Sequence, residues 1–271
     1  MIPLEDNYTD VIAKAQRGLN LTDSVLAAKA GVSVEELRRV KEGEVIEEVL
    51  ERIAPVLGLG KRALLDLAKG IYYPKDQGVI PGLFHFNTRW EDMTVNSYLV
   101  WDKKTKEAAV FDTGGNCTEM LDTIKVHGLN IKYIFLTHTH ADHIAELGRL
   151  KRATGAPAYC CELEMIPGTE PFHPGREFQL SGLSIRSFLT NGHSPGGVSY
   201  YITGAERKFV IVGDSLFAGS MGGGNYSYAE ALKNNKEKIL ALPEDTIVCP
   251  GHGPLTTVGE EKIHNPFFAF S

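Results

Sequence analysis

The chain has 271 residues, of which 43% are hydrophobic and 23% charged, which is typical of a globular fold. It contains no run of 18 apolar residues, so we expect no membrane span, and its net charge of −6 argues against nucleic-acid binding through a basic face. The first ten residues carry three acids and lack the basic start of a signal peptide. The cysteines (Cys117, Cys160, Cys161 and Cys249) suggest no disulfide framework, so we expect a protein of the reducing cytoplasm.

Residues 1–70 differ in pattern from the rest of the chain. Apolar residues recur there at helical spacing between glycines, which predicts four or five short amphipathic helices. Thr22 and Ser33 are the expected N-caps of two of them, and Glu36, three residues after Ser33, fits a capping box.

The segment LTDSVLAAKAGVSVEELRRVKEGE, residues 21–44, resembles the helix-turn-helix of phage-repressor-like (Cro/C1-type) proteins, with an Ala27–Ala28 pair and Gly31 in the turn. DNA binding does not follow, because residues 1–70 hold 10 basic and 12 acidic side chains. The would-be recognition helix also carries two glutamates, which phosphates repel. We therefore expect a helical module that makes a homodimer contact or covers the other domain.

Beyond residue 70 the pattern changes to short strands with interleaved helices. A stretch rich in proline and glycine, residues 71–82, indicates a linker, so we predict a helical domain at 1–70 and an α/β domain at 71–271. We predict strands at 95–101, 107–113 and 131–137, three more between 183 and 213, a last one ending at Gly251, and helices at 144–154 and 226–242.

The most specific signal is the run Thr137-His138-Thr139-His140-Ala141-Asp142-His143, which follows an apolar strand and precedes a helix. Alternate residues of an extended segment point the same way, so His138 and His140 can hold one ion. As the chain turns into the helix, Asp142 and His143 can face a second ion nearby. Such a dense match is rare by chance and predicts a metal site.

Three further candidate ligands follow predicted strands, each among small residues. They are His193 in NGHSPGG, Asp214 in VGDS and His252 in PGHGP. A carboxylate has two oxygens and can bridge two cations, so Asp214 is the natural bridge. Flanking glycines allow the tight loops that a metal pair requires.

In these blocks the chain resembles the metallo-β-lactamase-fold hydrolases over roughly residues 79–271, including Asp112 in the FDTGG block. The resemblance implies an αβ/βα sandwich with a two-metal site at one edge of the sheets. It assigns His138, His140 and His193 to one metal, Asp142, His143 and His252 to a second, and Asp214 to both. Asp112 then supports the ligands without binding metal, and Thr137 is a second candidate for that role.

Within that superfamily the chain looks most similar to the glyoxalase II-like (hydroxyacylglutathione hydrolase-like) branch, through its bridging Asp, PGHGPLTT at 250–257 and EKIHNPFF at 261–268. Two features depart from that pattern. The sequence ends at Ser271, so we expect it to lack the C-terminal helical domain that holds glutathione in full-length glyoxalase II, and residues 218–225 carry no charge where relatives often have an arginine.

The resemblance implies a metal-dependent hydrolase in which a hydroxide shared by two divalent cations attacks an acyl carbon. A thioester of the S-acylglutathione type suits the site, because a thiolate leaves with little protonation. Asp142 and Asp214 are the candidate catalytic carboxylates, with Asp142 also a candidate proton shuttle. Tyr226 and Tyr228, after a glycine loop, could line the substrate pocket. Zinc is the expected metal, and iron and manganese are alternatives, since His/Asp sites accept all three.

Two alternatives stay open. The first is a sulfur (persulfide) dioxygenase, which uses the same scaffold with one iron held by two His and one Asp. The second, from another class, is a sensor in which the metal domain binds an effector and the N-terminal helices bind DNA.

Overall fold

The computed structural model describes residues 1–269, and residues 270 and 271, the end of the predicted second domain, lie outside the described part. The helices are α1 (Tyr8–Gly18), α2 (Asp23–Ala30), α3 (Val34–Lys41), α4 (Glu47–Val56), α5 (Lys61–Ala68), α6 (Thr118–His127), α7 (Ala141–Ile144), α8 (Leu147–Thr154), α9 (Tyr228–Asn234) and α10 (Val258–His264). The strands are β1 (Leu83–Trp90), β2 (Met93–Trp101), β3 (Glu107–Phe111), β4 (Asn130–Phe135), β5 (Ala158–Cys161), β6 (Glu170–Phe172), β7 (Glu177–Leu180), β8 (Leu183–Leu189), β9 (Val198–Thr203), β10 (Phe209–Gly213), β11 (Ile247–Pro250) and β12 (Thr256–Thr257).

The strands form two six-stranded mixed sheets that face each other. The first sheet runs β1-β2-β3-β4-β5-β6, and the second runs β12-β11-β10-β9-β8-β7. Between them lies an apolar layer that includes Tyr98, Phe111, Phe135, Tyr200 and Phe209, all essentially inaccessible to solvent. Helices cover the outer faces of the sheets. Central strands such as β3 and β10 are therefore buried on both faces, and their sequences are nearly continuous runs of apolar residues. The predicted α/β fold class, a sandwich preceded by helices, is confirmed.

The N-terminal region forms five helices, within the predicted number. The Thr22 hydroxyl accepts a hydrogen bond from the Val25 amide at 3.3 Å and caps α2. Ser33 and Glu36 form the predicted capping box at α3, because each side chain accepts from the backbone amide of the other. These local signals were therefore reliable guides to where the helices begin.

The five helices pack onto the outer face of the second sheet. One apolar cluster joins Leu50 and Ile53 of α4 with Val210 and Val212 of β10. The N-terminal helices thus cover the other part of the chain, one of the two roles expected for them. Since the two parts share a core, the boundary at residue 70 stays a prediction.

The exposed arginines of α3 are already paired. Arg38 contacts both Glu35 and Glu42, and Arg39 contacts Glu44. A guanidinium held by carboxylates is poorly placed to bind phosphate. The helix-turn-helix identity of residues 21–44 therefore stays a prediction, and their charges do not favour DNA.

A buried carboxylate of α10 holds the segment that follows the N-terminal helices. Glu261 accepts hydrogen bonds from the Tyr72 hydroxyl (2.8 Å), the Thr256 hydroxyl (2.8 Å), the Gly219 amide (3.0 Å) and the Asn265 side-chain amide (2.7 Å). Burial nevertheless raises the pKa of this carboxyl to about 7.

Several elements differ from the sequence-based expectation. The helix predicted at 144–154 is two helices, α7 and α8, separated by a bend at Ala145 and Glu146. The helix predicted at 226–242 is α9 followed by a π-helical turn at Asn235–Ile239. Patterning missed β1, α6, the short strands β5 to β7 and β12, and α10. Within residues 1–269, no helix combines the length and apolar character needed to cross a bilayer.

Candidate metal centre

The candidate ligands lie on loops at one edge of the sandwich. The run from His138 to His143 follows β4, Asp214 follows β10, and His252 follows β11. His193 lies on the loop between β8 and β9. The ends of strands from both sheets thus bring residues far apart in sequence to one place.

The first donor group comprises His138, His140, His193 and Asp214. Nδ1 of His140 lies 3.0 Å from Nε2 of His138 and 3.0 Å from Nε2 of His193. Oδ2 of Asp214 lies 3.4 Å from Nε2 of His193 and 3.9 Å from Nε2 of His138. Three imidazoles and a carboxylate thus converge on one point.

The second donor group comprises Asp142, His143 and His252. Oδ2 of Asp142 lies 3.3 Å from Nε2 of His143 and 3.2 Å from Nε2 of His252. Asp214 also reaches this group, because its Oδ1 lies 3.3 Å from Nε2 of His143. Asp214 is therefore the side chain shared by the two groups, as its carboxylate chemistry suggested.

Hydrogen bonds at the far side of the ring orient His143, His193 and His252. Nδ1 of His193 donates to the Gly223 carbonyl at 3.0 Å, and Nδ1 of His252 donates to the Thr94 carbonyl at 2.7 Å. Nδ1 of His143 donates to Asp112 at 2.8 Å. Because Nδ1 of these three rings donates, Nε2 is the atom that faces the centre and can bind metal once any proton on it is displaced.

Asp112 and Thr137 lie directly behind the ligands. The Asp112 carboxylate accepts from the Thr137 amide and hydroxyl, both at 2.7 Å, in addition to His143. Because the Thr137 hydroxyl donates to Asp112, its oxygen is free to accept from Nδ1 of His138 at 3.1 Å. Asp112 has a φ of +55°, a left-handed conformation that Asp tolerates better than most residues. These two side chains therefore orient a ligand of each group.

Glycines are required where the backbone approaches the centre. A Cβ atom at position 251 would lie 2.1 Å from Oδ1 of Asp214 and 2.8 Å from Cε1 of His143. A Cβ atom at position 222 would lie 1.8 Å from the Asp214 carbonyl oxygen. A side chain at either position would therefore displace the donor groups.

Charge pairing dominates the electrostatics of the centre. Burial opposes the charging of His143, but the carboxylates of Asp214 and Asp112 raise its pKa to about 10. Burial likewise opposes charging at His252, while Asp214 and Asp142 raise its pKa to about 11. Burial would raise the pKa of Asp214, yet the two imidazoles hold it well below its usual value. A cation bound by these nitrogens has to displace protons.

The donor set fits divalent cations. Five imidazoles and two carboxylates suit zinc, iron or manganese. Nε2 of His143 and Oδ1 of Asp214 are buried and have no hydrogen-bond partner, which is costly for polar atoms unless an ion satisfies them. The residues present therefore fit a metal centre.

Sequence analysis missed one half-buried carboxylate beside the centre. Glu164 lies in a 3₁₀ turn, Glu162–Glu164. Its Oε1 accepts from the Thr139 amide (3.0 Å) and hydroxyl (2.7 Å), and its Oε2 accepts from the Gly196 amide (2.8 Å). Glu164 thus connects the loop that carries His140 with the loop that carries His193. No local motif marks it, since both partners are distant in sequence.

Of the two tyrosines proposed for the substrate pocket, Tyr226 lies on the loop that follows Asp214 and Tyr228 begins α9. Tyr226 is exposed, whereas the Tyr228 ring packs against Gly18 of α1 and burial raises its pKa to about 12. Both side chains line a cavity beside this loop. Whether they contact substrate stays a prediction.

Comparison with known proteins gives the family. The model of the metallo-beta-lactamase superfamily matches residues 90–252, which include every candidate ligand. The chain belongs to the metallo-β-lactamase superfamily. Hydroxyacylglutathione hydrolase GloC of Haemophilus influenzae is 30% identical over 197 residues, which cover 64% of this chain and 92% of the relative.

Two solved structures are also similar to this chain. TTHA1623 in a di-iron-bound form is 30% identical, with a TM-score of 0.57 over 67% of this chain and 99% of that one. ETHE1 from Myxococcus xanthus is 25% identical, with a TM-score of 0.61 over 69% of this chain and 84% of that one. Helices α1–α5 lie outside the residues that the superfamily model matches, so this match does not assign that region to a family.

Proposed function

We propose that this metallo-hydrolase holds two divalent cations and cleaves thioesters. The observation that carries the proposal is the pair of donor groups that meet at Asp214, each with enough ligands for a cation of its own. The di-iron form of TTHA1623, at 30% identity, supports the two-metal part. The similarity to hydroxyacylglutathione hydrolase GloC supports the thioester part.

In this proposal His138, His140 and His193 hold one cation, Asp142, His143 and His252 hold the other, and Asp214 contacts both. Two cations would supply a water of lowered pKa and positive charge for the oxyanion that develops during acyl transfer.

The protein's own residues do the remaining work. Asp112 keeps the His143 ring turned so that its Nε2 faces the centre. Asp142 retains partial exposure and lies 3.2 Å from Nε2 of His252, so it is the carboxylate placed to pass a proton between the centre and solvent. The thiolate product needs little protonation, so its departure requires no dedicated general acid.

The test combines elemental analysis with a substrate panel. Protein purified without chelator should contain two metal ions per chain. It should hydrolyse S-lactoylglutathione or another thioester, and lose that activity on chelation and regain it on metal addition. An active, metal-replete protein with one ion per chain would overturn the two-metal part, and a fully loaded protein inert towards all thioesters would overturn the substrate class.

A second candidate is the mononuclear-iron sulfur dioxygenase. His138, His193 and Asp214 alone form a set of two imidazoles and one carboxylate, which suits non-haem iron in oxygenases. One iron per chain, with oxygen uptake on a glutathione persulfide and no thioester hydrolysis, would favour this candidate over the first.

A further inference from the structure

A cavity of about 360 Å³ lies between α1 and the loop that follows Asp214. Helix α1 contributes Lys14 and Arg17, and the loop contributes Asn225 and Tyr226. One wall therefore comes from the N-terminal helices and the other from the part of the chain that holds the metal centre.

This cavity is connected to the first donor group. The Gly223 carbonyl, which lies in its wall, accepts from Nδ1 of His193 at 3.0 Å. The amides of Tyr226 and Ser227 donate to the Gly192 carbonyl at 3.0 and 2.9 Å. These bonds tie the wall to the loop that carries His193, so the cavity lies behind the His193 ring, on its Nδ1 side.

The charges in the cavity are of one sign. None of the residues that line it is acidic. The Lys14 ammonium is already engaged, by the Asp6 carboxylate and by the Met221 carbonyl at 2.9 Å. Arg17 is exposed and makes no ion pair with any residue in the 1–269 range. A guanidinium in this position offers a planar pair of donors that matches a carboxylate or a phosphate.

We propose that this cavity binds an anionic group, carboxylate or phosphate, in the thiol part of the substrate, and that Arg17 recognises it. The proposal rests on thioester hydrolysis as the function and adds the class of thiol. It also gives the N-terminal helices a role. The charged side chain that determines specificity, Arg17, belongs to α1 and not to the part of the chain that the superfamily model matches.

The kinetic test uses one acyl group on three thiols. Glutathione carries carboxylates, coenzyme A carries phosphates, and N-acetylcysteamine carries neither. The quantity compared is the kcat/KM for the preferred anionic thioester divided by the kcat/KM for the neutral thioester. We expect Arg17→Gln to lower this ratio by about tenfold, mostly through KM. The glutathione and coenzyme A arms decide between carboxylate and phosphate.

Lys29→Gln is the matched control, because it removes one exposed positive charge from α2 without touching the cavity. It should leave the ratio unchanged. The proposal is wrong if Arg17→Gln leaves the ratio at the wild-type value, or if Lys29→Gln changes it as much.

A binding experiment separates this proposal from the function it rests on. If the metal-loaded wild type cleaves none of the three thioesters, the proposed function fails, and glutathione and coenzyme A are then titrated into it by calorimetry. About tenfold weaker binding by Arg17→Gln, with Lys29→Gln at the wild-type value, supports the cavity as an anion site. Equal binding by all three proteins, or no binding by the wild type, overturns it.

Discussion

Glu164 is the side chain whose removal should most clearly separate metal binding from folding. It touches none of the candidate ligands, but it connects the two loops that carry His140 and His193. Burial opposes its ionisation, yet the hydrogen bonds from Thr139 lower its pKa, so the carboxylate is charged at neutral pH. We expect Glu164→Ala to loosen the first donor group.

The magnitude follows from the bonds that are lost. Glu164 accepts three hydrogen bonds, and two of the donors are backbone amides of Thr139 and Gly196 that would be left without this partner. Hydrogen bonds to a charged group contribute about 1.5–3 kcal/mol each and are not additive, so we expect a loss of about 2–4 kcal/mol in stability. Removal of a residue that orients metal ligands typically weakens metal binding by about 10–100-fold.

The assay is a competition titration of the metal-free protein against a chromophoric chelator, with the thermal midpoint measured in parallel. Glu164→Gln keeps one acceptor oxygen and should fall between alanine and wild type. Glu162→Gln, in the same turn but with its carboxylate paired to His173, is the control and should bind metal as wild type does. If Glu164→Ala lowers the midpoint while the folded protein binds metal as tightly as wild type, the positioning role is refuted.

Three further outcomes are expected. The pKa of Glu261 is raised to about 7 in the folded protein from an ordinary 4.5. The stability that the protonated Glu261 carboxyl contributes is therefore complete below pH 4.5 and is lost as pH rises through about 7. Denaturation between pH 5 and 8 should therefore show the free energy of unfolding of the wild type falling by up to about 3 kcal/mol relative to that of Glu261→Gln. The exposed control Asp245→Asn should keep the pH dependence of the wild type. Parallel pH curves for the wild type and Glu261→Gln would contradict this. Gel-shift titrations should show no salt-sensitive DNA binding by residues 21–44 in the full chain, and a steep salt slope would restore the sensor hypothesis. The homodimer through residues 1–70 stays a prediction, which light scattering of the full chain tests and a monomeric mass would reject.

The parts of the centre that sequence could reveal are those in which the chemistry is local. The run from His138 to His143 places four donors within six residues, and His193, Asp214 and His252 stand out because small residues surround them. The capping box at Ser33 is local in the same sense, because its two partners are three residues apart. Each of these signals can be found without knowing the fold.

The parts that sequence could not reveal depend on contacts between distant segments. Glu164 is an ordinary acidic residue until the fold brings Thr139 and Gly196 to it. The carbonyls of Thr94 and Gly223 that orient two imidazoles leave no trace in residue identity, since every residue has a carbonyl. Short strands such as β5 and β6 have too few residues to show the alternation of apolar and polar residues that predicts a strand.

The shared core makes the N-terminal helices part of the catalytic architecture. Val210 and Val212 of β10 pack against those helices on one face of the sheet, while Ile211 points into the layer between the sheets. Asp214 follows at the end of the same strand, so the carboxylate shared by the two donor groups is positioned by a strand buried on both sides. The apolar residues of α4 exclude water from beneath that strand, and α1 closes one side of the cavity beside His193. The helices therefore contribute to the metal centre through packing and, in the proposal made above, to substrate choice through Arg17, although none of them supplies a candidate metal ligand.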